Sequence, residues 1–236
     1  KEESQQILLS AKKLNHNLLT PIAGITFSKL LSTNKGQPKQ LYDFIKSENL
    51  NQNTFSLRLN SLIEKLEFSF DSADLFEMAL KEISFLIGIV SSRPELEKRK
   101  GPDNLWCLGD GKYLLIECKN ETTTSKINKH DCNQLNGSIE WFENEYTGNG
   151  FTCFPLMIHN SNVFEYACSP NSDIRIMTPA KLEEFKQQIR LFSTSLFQNE
   201  NYSNVDEINK LLVQFNLKSE NLFDNFSVKH TISSNK

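Results

Sequence analysis

The chain has 236 residues, 38% hydrophobic and 23% charged, which suits one substantial domain, or a domain with a smaller attachment, and excludes wholesale disorder. A net charge of −3 argues against a generic polycation that coats nucleic acid, yet leaves room for a local basic patch beside an acidic site. No apolar run approaches the roughly 20 residues that cross a bilayer, and the polar start Lys1-Glu2-Glu3-Ser4 is not a signal peptide.

The five cysteines, Cys107, Cys118, Cys132, Cys153 and Cys168, are odd in number and lack the short spacing of a zinc knuckle or redox dithiol. They read as free thiols in a reducing compartment, so a cytoplasmic location is expected. His16, His130, His159 and His230 are scattered, with no pair at metal-ligand spacing. The first residue is Lys rather than Met, and the chain is expected to be part of a larger protein.

In chain order, Ile7, Leu8, Ala11, Leu14 and Leu18 recur at helical spacing, and Thr20-Pro21 ends that segment because the residue before proline avoids the α region. A second helix is expected from Gln37-Pro38, with Leu41, Phe44 and Ile45 as its apolar stripe. Residues 49–53 are a polar break. Residues 55–66 are ambiguous, with the second half favouring a helix. From Asp71 or Ser72 as cap, Leu75, Phe76, Ala79, Leu80, Ile83 and Ile87 form one broad helical face ended by Gly88. Ile89-Val90 begins an extended piece, and residues 93–100 read as a polar, basic loop.

The period then becomes strand-like. Residues 104–108 and 112–116 flank Gly109-Asp110-Gly111, and Asp-Gly between apolar runs signals a hairpin. A long helix over 126–146 follows, with Ile127, Leu135, Ile139, Phe142 and Tyr146 on one face. Residues 154–158 and 174–177 read as strands, and Thr178-Pro179 opens a helix to about Phe197. A last helix covers 205–215, and the tail from Ser227 is expected to fray. The expected organisation is a helical N-terminal region (1–68), a mixed α/β core (69–200) and a C-terminal helix with a flexible tail (201–236).

The chemistry gathers at the hairpin. Side chains alternate along a strand, so Glu117 and Lys119 share a face at the end of Tyr113-Leu114-Leu115-Ile116, with Cys118 on the other. Antiparallel pairing across the turn returns Asp103, preceded by Pro102, to the same neighbourhood. Two hard carboxylates suit Mg²⁺, and a lysine one pleat away can orient water or add charge to a phosphoryl transition state. A Glu-x-Lys at a strand end is ordinarily just solvated, and Pro-Asp is common in turns. Their conjunction with the hairpin and the flanking helices carries the reading.

Pro102-Asp103 followed a hairpin later by Glu117-Cys118-Lys119 resembles the motif of the PD-(D/E)xK nuclease superfamily, the restriction-endonuclease-like fold, over roughly residues 70–195. The strings Gly101-Pro102-Asp103-Asn104-Leu105-Trp106 and Ile116-Glu117-Cys118-Lys119-Asn120 look like nuclease domains appended to DEAD/DEAH-type helicases in bacterial defence or repair systems. The aromatic and cysteine motifs of the iron–sulfur members are missing.

The resemblance implies a central mixed sheet flanked by helices and a nuclease acting on nucleic acid, DNA in preference, with Mg²⁺ (or Mn²⁺) as cofactor. It implies metal ligation by Asp103, Glu117 and the Cys118 backbone carbonyl, and catalysis by Lys119. A glutamate from the preceding helix is Glu77, with Glu82 as runner-up, and Gln134 holds the glutamine position of the following helix. Lys126 and Lys129, with His130, are the candidate phosphate contacts, ahead of Arg93, Lys98, Arg99 and Lys100, which read as a solvated loop. Trp106, Trp141 and His159 read as structural. A helicase or other domain of a larger protein is the implied partner, in phage defence or DNA repair. The alternative is a nucleic-acid-binding module on the same fold that does not cleave.

Overall fold

The fold was described from a computed structural model, which covers residues 35–147 and 150–234 and, before them, 7, 8, 10–12, 14, 15 and 29–31. Residues 7, 8, 10–12 and 14 are helical, as expected. The rest of the first expected helix, with Leu18 and the Thr20-Pro21 stop, lies outside the described residues.

Helix α1 (Gln37–Ser47) starts with proline in its first turn, and its Leu41 and Ile45 are buried. Helix α2 (Gln52–Glu64) resolves the ambiguity of residues 55–66 in full. Asn51 accepts a hydrogen bond from Thr54 N while Thr54 Oγ1 accepts from Asn51 N. This reciprocal cap turns the end of the Asn-rich break into a helix start. Helix α3 (Ala73–Leu86) is capped differently from the sequence expectation. Neither Asp71 nor Ser72 supplies the capping oxygen; Glu121 Oε1 accepts from Ser72 N at 2.7 Å and Ala73 N at 3.0 Å. A distant carboxylate thus satisfies the orphan N–H groups and faces the positive helix end. Gly88 closes α3 with φ +77°, and a Cβ there would lie 2.4 Å from the Gln37 carbonyl oxygen.

Strand β1 (Val90–Ser92) leads into a short helix α4 (Pro94–Lys98) where a basic loop was expected. Strands β2 (Asn104–Gly109) and β3 (Lys112–Cys118) form the predicted hairpin. Asp110 and Gly111 both have positive φ, 49° and 73°, as a type I′ turn requires. Helix α5 (Lys129–Glu145) begins at the Asn128 cap, three residues after the expected start. Next come β4 (Thr152–Ile158), a short β5 (Val163–Phe164), β6 (Arg175–Met177) and α6 (Pro179–Phe197), the last capped by Thr178. Helices α7 (Val205–Gln214) and α8 (Leu222–Asn225) close the helical part. The tail does not fray as expected: β7 (Val228–Lys229) pairs with β6, and β8 (Thr231–Ile232) pairs with β5. These pairings satisfy backbone groups that a polar composition alone leaves unassigned.

The fold is mixed α/β. A six-stranded mixed sheet has the order β1-β2-β3-β4-β6-β7, with β3, β4 and β6 parallel and the outer pairings antiparallel. Strand alternation builds two cores. Trp106, Leu114, Ile116 and Ile158 face a cluster shared with α1, α2, α3, α6 and α7, so the early helices and the sheet bury one continuous core. Leu105, Tyr113, Leu115 and Met157 face α5 through Leu135, Ile139 and Phe142. Among the described residues, no helix is long and apolar enough to cross a membrane.

Candidate active site

The β2–β3 register pairs Asn104 with Ile116. One step further along the same antiparallel ladder, Asp103 stands across from Glu117. Both are removed from water: Asp103 is 4% exposed and Glu117 1% exposed. Asp103 Oδ2 accepts a hydrogen bond from Cys118 N at 2.7 Å. Ser138 of α5 donates to Glu117 Oε1 at 2.5 Å, while Glu117 Oε2 is buried without a hydrogen-bond partner. Lys119 donates from Nζ to Gln134 Oε1 at 2.8 Å. Ser138 and Gln134 are four residues apart and so share one edge of α5. That edge fixes both motif side chains at the end of β3, because Glu117 and, just past the strand, Lys119 project to the α5 face. Cys118 projects into the opposite core, where burial holds its thiol well above the usual range and therefore protonated.

The carboxylates perturb each other. Glu117 is pushed well above the usual carboxylate range, first by burial and then by the nearby Asp103 charge. Asp103 is raised by burial and by the Glu77 charge, against the opposing hydrogen bonds from Glu95 and Cys118 N. Glu95, at the rim on α4, is raised to about 7 by its hydrogen bond to Asp103, with desolvation second. That hydrogen bond joins the rim carboxyl of Glu95 to the buried Asp103. Glu95 is the site residue that sequence reasoning did not single out. Its one signal was Pro94 at a helix start placing Glu95 in a first turn, inside a stretch read as a basic loop.

Glu77 is near enough to raise Asp103 electrostatically, but its own carboxylate is ion-paired with Arg93, which also donates to Asp74 at 2.9 Å. Arg93 was expected in a solvated loop; it is 5% exposed. The Pro94 turn folds it back onto α3, where two carboxylates repay its desolvation. Glu82, the alternative glutamate, is paired at 2.6 Å with Arg58 of α2 and is not brought to the site. Lys126, Lys129 and His130 are exposed at the start of α5. Trp106 is a core residue, and Trp141 packs its ring over Gly101. His159 is fully buried; its Nδ1 accepts from Ser161 N at 2.8 Å and burial lowers its pKa.

Among the described residues, no group of three or more His, Cys, Asp or Glu side chains is arranged to hold a metal ion. The donor set is instead two carboxylates and main-chain oxygen. Mg²⁺ sites commonly take one or two carboxylates and complete their shell with water and substrate phosphate. The unpartnered, buried Glu117 Oε2 beside Asp103 is the feature that fits a cation, since an orphaned carboxylate oxygen in a dry site is costly alone.

Gly101 holds the approach to Asp103. It has φ +96°, and a Cβ would meet the Trp141 ring at 2.8 Å. Gly101→Ala is expected to destabilise the protein by about 1–3 kcal/mol, combining left-handed strain with the clash. A thermal melt reads the loss; an unchanged Tm would mean that the Gly101–Trp141 contact is not a constraint.

Comparisons with protein-family models, with curated proteins and with solved structures find no match.

Proposed function

We propose that this chain is a Mg²⁺-dependent nuclease on a restriction-endonuclease-like core, hydrolysing phosphodiester bonds in nucleic acid, DNA in preference. The observation that carries the reading is the pairing of buried Asp103 and Glu117 across one hairpin, with Glu117 Oε2 left unpartnered and Lys119 held on the same face. The order α3, β1–β2–β3, α5, β4 supports it, since it is a helix, a motif-bearing hairpin and a helix folded back on the sheet. The absence of any family match leaves this assignment to rest on the site.

Asp103 and Glu117, with the Cys118 carbonyl, would hold the cation. A bound Mg²⁺ would offset charge on the phosphoryl oxygens and ease deprotonation of the attacking water. The protein's own groups do the rest. Cys118 N–H holds the Asp103 carboxylate in place, and Ser138 does the same for Glu117. Gln134 orients the Lys119 ammonium, which meets the negative charge that grows on a phosphate. Glu95, with a value near neutrality, can take or return a proton at the rim. Arg93 ties α3 to the start of α4 and so keeps Glu77 and Glu95 beside Asp103. Placement in phage defence or DNA repair, as part of a larger helicase-bearing protein, follows from the motif resemblance and belongs to the same proposal.

The test is incubation with plasmid and with linear single-stranded DNA, in Mg²⁺ and in EDTA, alongside Asp103→Ala and Lys119→Ala. Cleavage should require Mg²⁺ and fall by at least about 10²–10³-fold in either variant. Cleavage that survives EDTA or either substitution overturns the mechanism. Binding without cleavage by the wild type would favour a non-cleaving module.

A further inference from the structure

One exposed aromatic lies on a turn docked against the start of α5, and Cys168 of that turn feels the Lys129 charge. Tyr166 is 61% exposed, yet its turn is tightly fixed. Glu165 N donates to the Ile127 carbonyl at 2.9 Å, Ile127 N donates to the Val163 carbonyl at 2.8 Å, and Cys168 Sγ reaches the Ile127 carbonyl at 3.5 Å. Cys168 also contacts Cys132 of α5. The backbone on both sides of Tyr166 is therefore anchored, while its side chain stands in solvent.

Successive residues of a helix turn by about 100°, which orders the side chains around α5. Gln134, bonded to Lys119, marks the catalytic edge. His130 stands one turn before it at (i, i+4) on nearly the same line. Lys129 follows on the open side, and Cys132, three residues beyond Lys129, marks the far edge against which the Tyr166 turn is docked. Lys126 immediately precedes the Ile127 anchor. The exposed Lys129 and His130 thus lie on the open side of α5, between the Gln134 edge and the edge that holds the Tyr166 turn, with the exposed Lys126 just before the helix.

A cationic path ending in an exposed ring fits an unpaired strand: the cations follow the phosphates, and any base can stack on the ring. A continuous duplex keeps its bases stacked inside and offers the ring nothing comparable. We propose that Tyr166 is a base-stacking platform and that the substrate strand is single-stranded where it leaves the catalytic carboxylates across α5. This inference rests on the nuclease reading and names its substrate class.

The experiment uses the full chain in the cleavage-deficient Asp103→Asn background and measures binding of a fluorescent single-stranded DNA 15-mer, its RNA counterpart and the matching duplex. Tyr166→Ala and Tyr166→Trp are compared in that background, and cleavage is measured with the same changes in the otherwise wild-type protein. Tyr166→Ala should weaken single-strand binding about tenfold and leave duplex binding unchanged, with Tyr166→Trp restoring it. The DNA and RNA arms should both respond, because stacking does not need the 2′-hydroxyl. Equal single-strand affinity for Tyr166 and Tyr166→Ala, in a protein that otherwise cleaves with Mg²⁺, overturns the stacking role alone. A wild type that cleaves no nucleic acid overturns both this inference and the nuclease reading.

Discussion

Glu117→Gln is expected to abolish cleavage and, in the absence of divalent cations, to make the protein more stable. Glu117 is 1% exposed, its Oε2 has no partner, and burial beside Asp103 pushes its carboxyl well above the usual range. Ionising it at neutral pH is therefore unfavourable in the folded state and harmless in the unfolded chain. Glutamine keeps the shape and can still accept from Ser138, while removing the charge. The gain should be on the order of 1–2 kcal/mol, or about 2–8 °C in Tm for a chain of this size. The loss of cleavage should exceed about 10³-fold, since the cation would lose one of its two carboxylates.

The pH dependence of that stability difference has a definite sign. In the unfolded chain the Glu117 carboxyl titrates near about 4.3, and in the folded protein its value is raised. Stability contributed by the retained proton is complete below the unfolded value and is lost as pH rises through the folded one. Melts of the metal-free proteins should show the advantage of Glu117→Gln over wild type near zero at pH 4 and widening toward pH 8. Mg²⁺ should close the gap by raising the wild-type Tm alone. An advantage that shrinks with rising pH would contradict the assignment of a buried, destabilised carboxylate.

The second large effect concerns Arg93. Its guanidinium is buried and pairs with Glu77 and Asp74, and Glu77 is itself largely buried. Removing one partner of such a pair leaves an uncompensated charge, at a cost of about 3–5 kcal/mol when both are fully buried. The solvent-facing Asp74 places Arg93→Ala near the low end, about 3 kcal/mol. Denaturant unfolding reads this directly, and Glu77→Gln in the same chain should recover part of it. The variant should also lose cleavage, because α4 carries Glu95 to Asp103 and is tied to α3 through Arg93. A loss below about 0.5 kcal/mol, the scale of an ordinary surface substitution, would mean that Arg93 is solvated after all.

These two residues also mark how far the sequence reveals the site. Glu117, Lys119 and Asp103 were legible because two local rules place them: alternation along a strand, and the return of a hairpin across Asp110-Gly111. Gln134 was named only through the family resemblance, and Ser138 one turn later was missed because a serine on an apolar stripe carries no distinguishing signal. Arg93 and Glu95 were hidden by composition. The run from Arg93 to Lys100 is polar and basic, and its fold depends on what α3 offers, namely Asp74 and Glu77, some 16–19 residues earlier. The same holds for the Glu121 cap of α3 and for the tail strands at Val228 and Thr231. Each is a pairing between distant segments, which local periodicity cannot express. Glu77, expected as the helix glutamate, is ion-paired with Arg93, and it is Glu95 of α4 that hydrogen-bonds Asp103.

On the proposed reading, the Asp103–Glu117 pair is built to hold a divalent cation. The most direct test is Mn²⁺ binding followed by electron paramagnetic resonance, with wild type, Asp103→Asn, Glu117→Gln and Lys119→Ala compared at neutral pH. Saturable Mn²⁺ binding should be present in the wild type and in Lys119→Ala, displaced by excess Mg²⁺, and lost in both carboxylate variants. Binding that is unchanged in Asp103→Asn and Glu117→Gln, or absent from the wild type, would contradict the account.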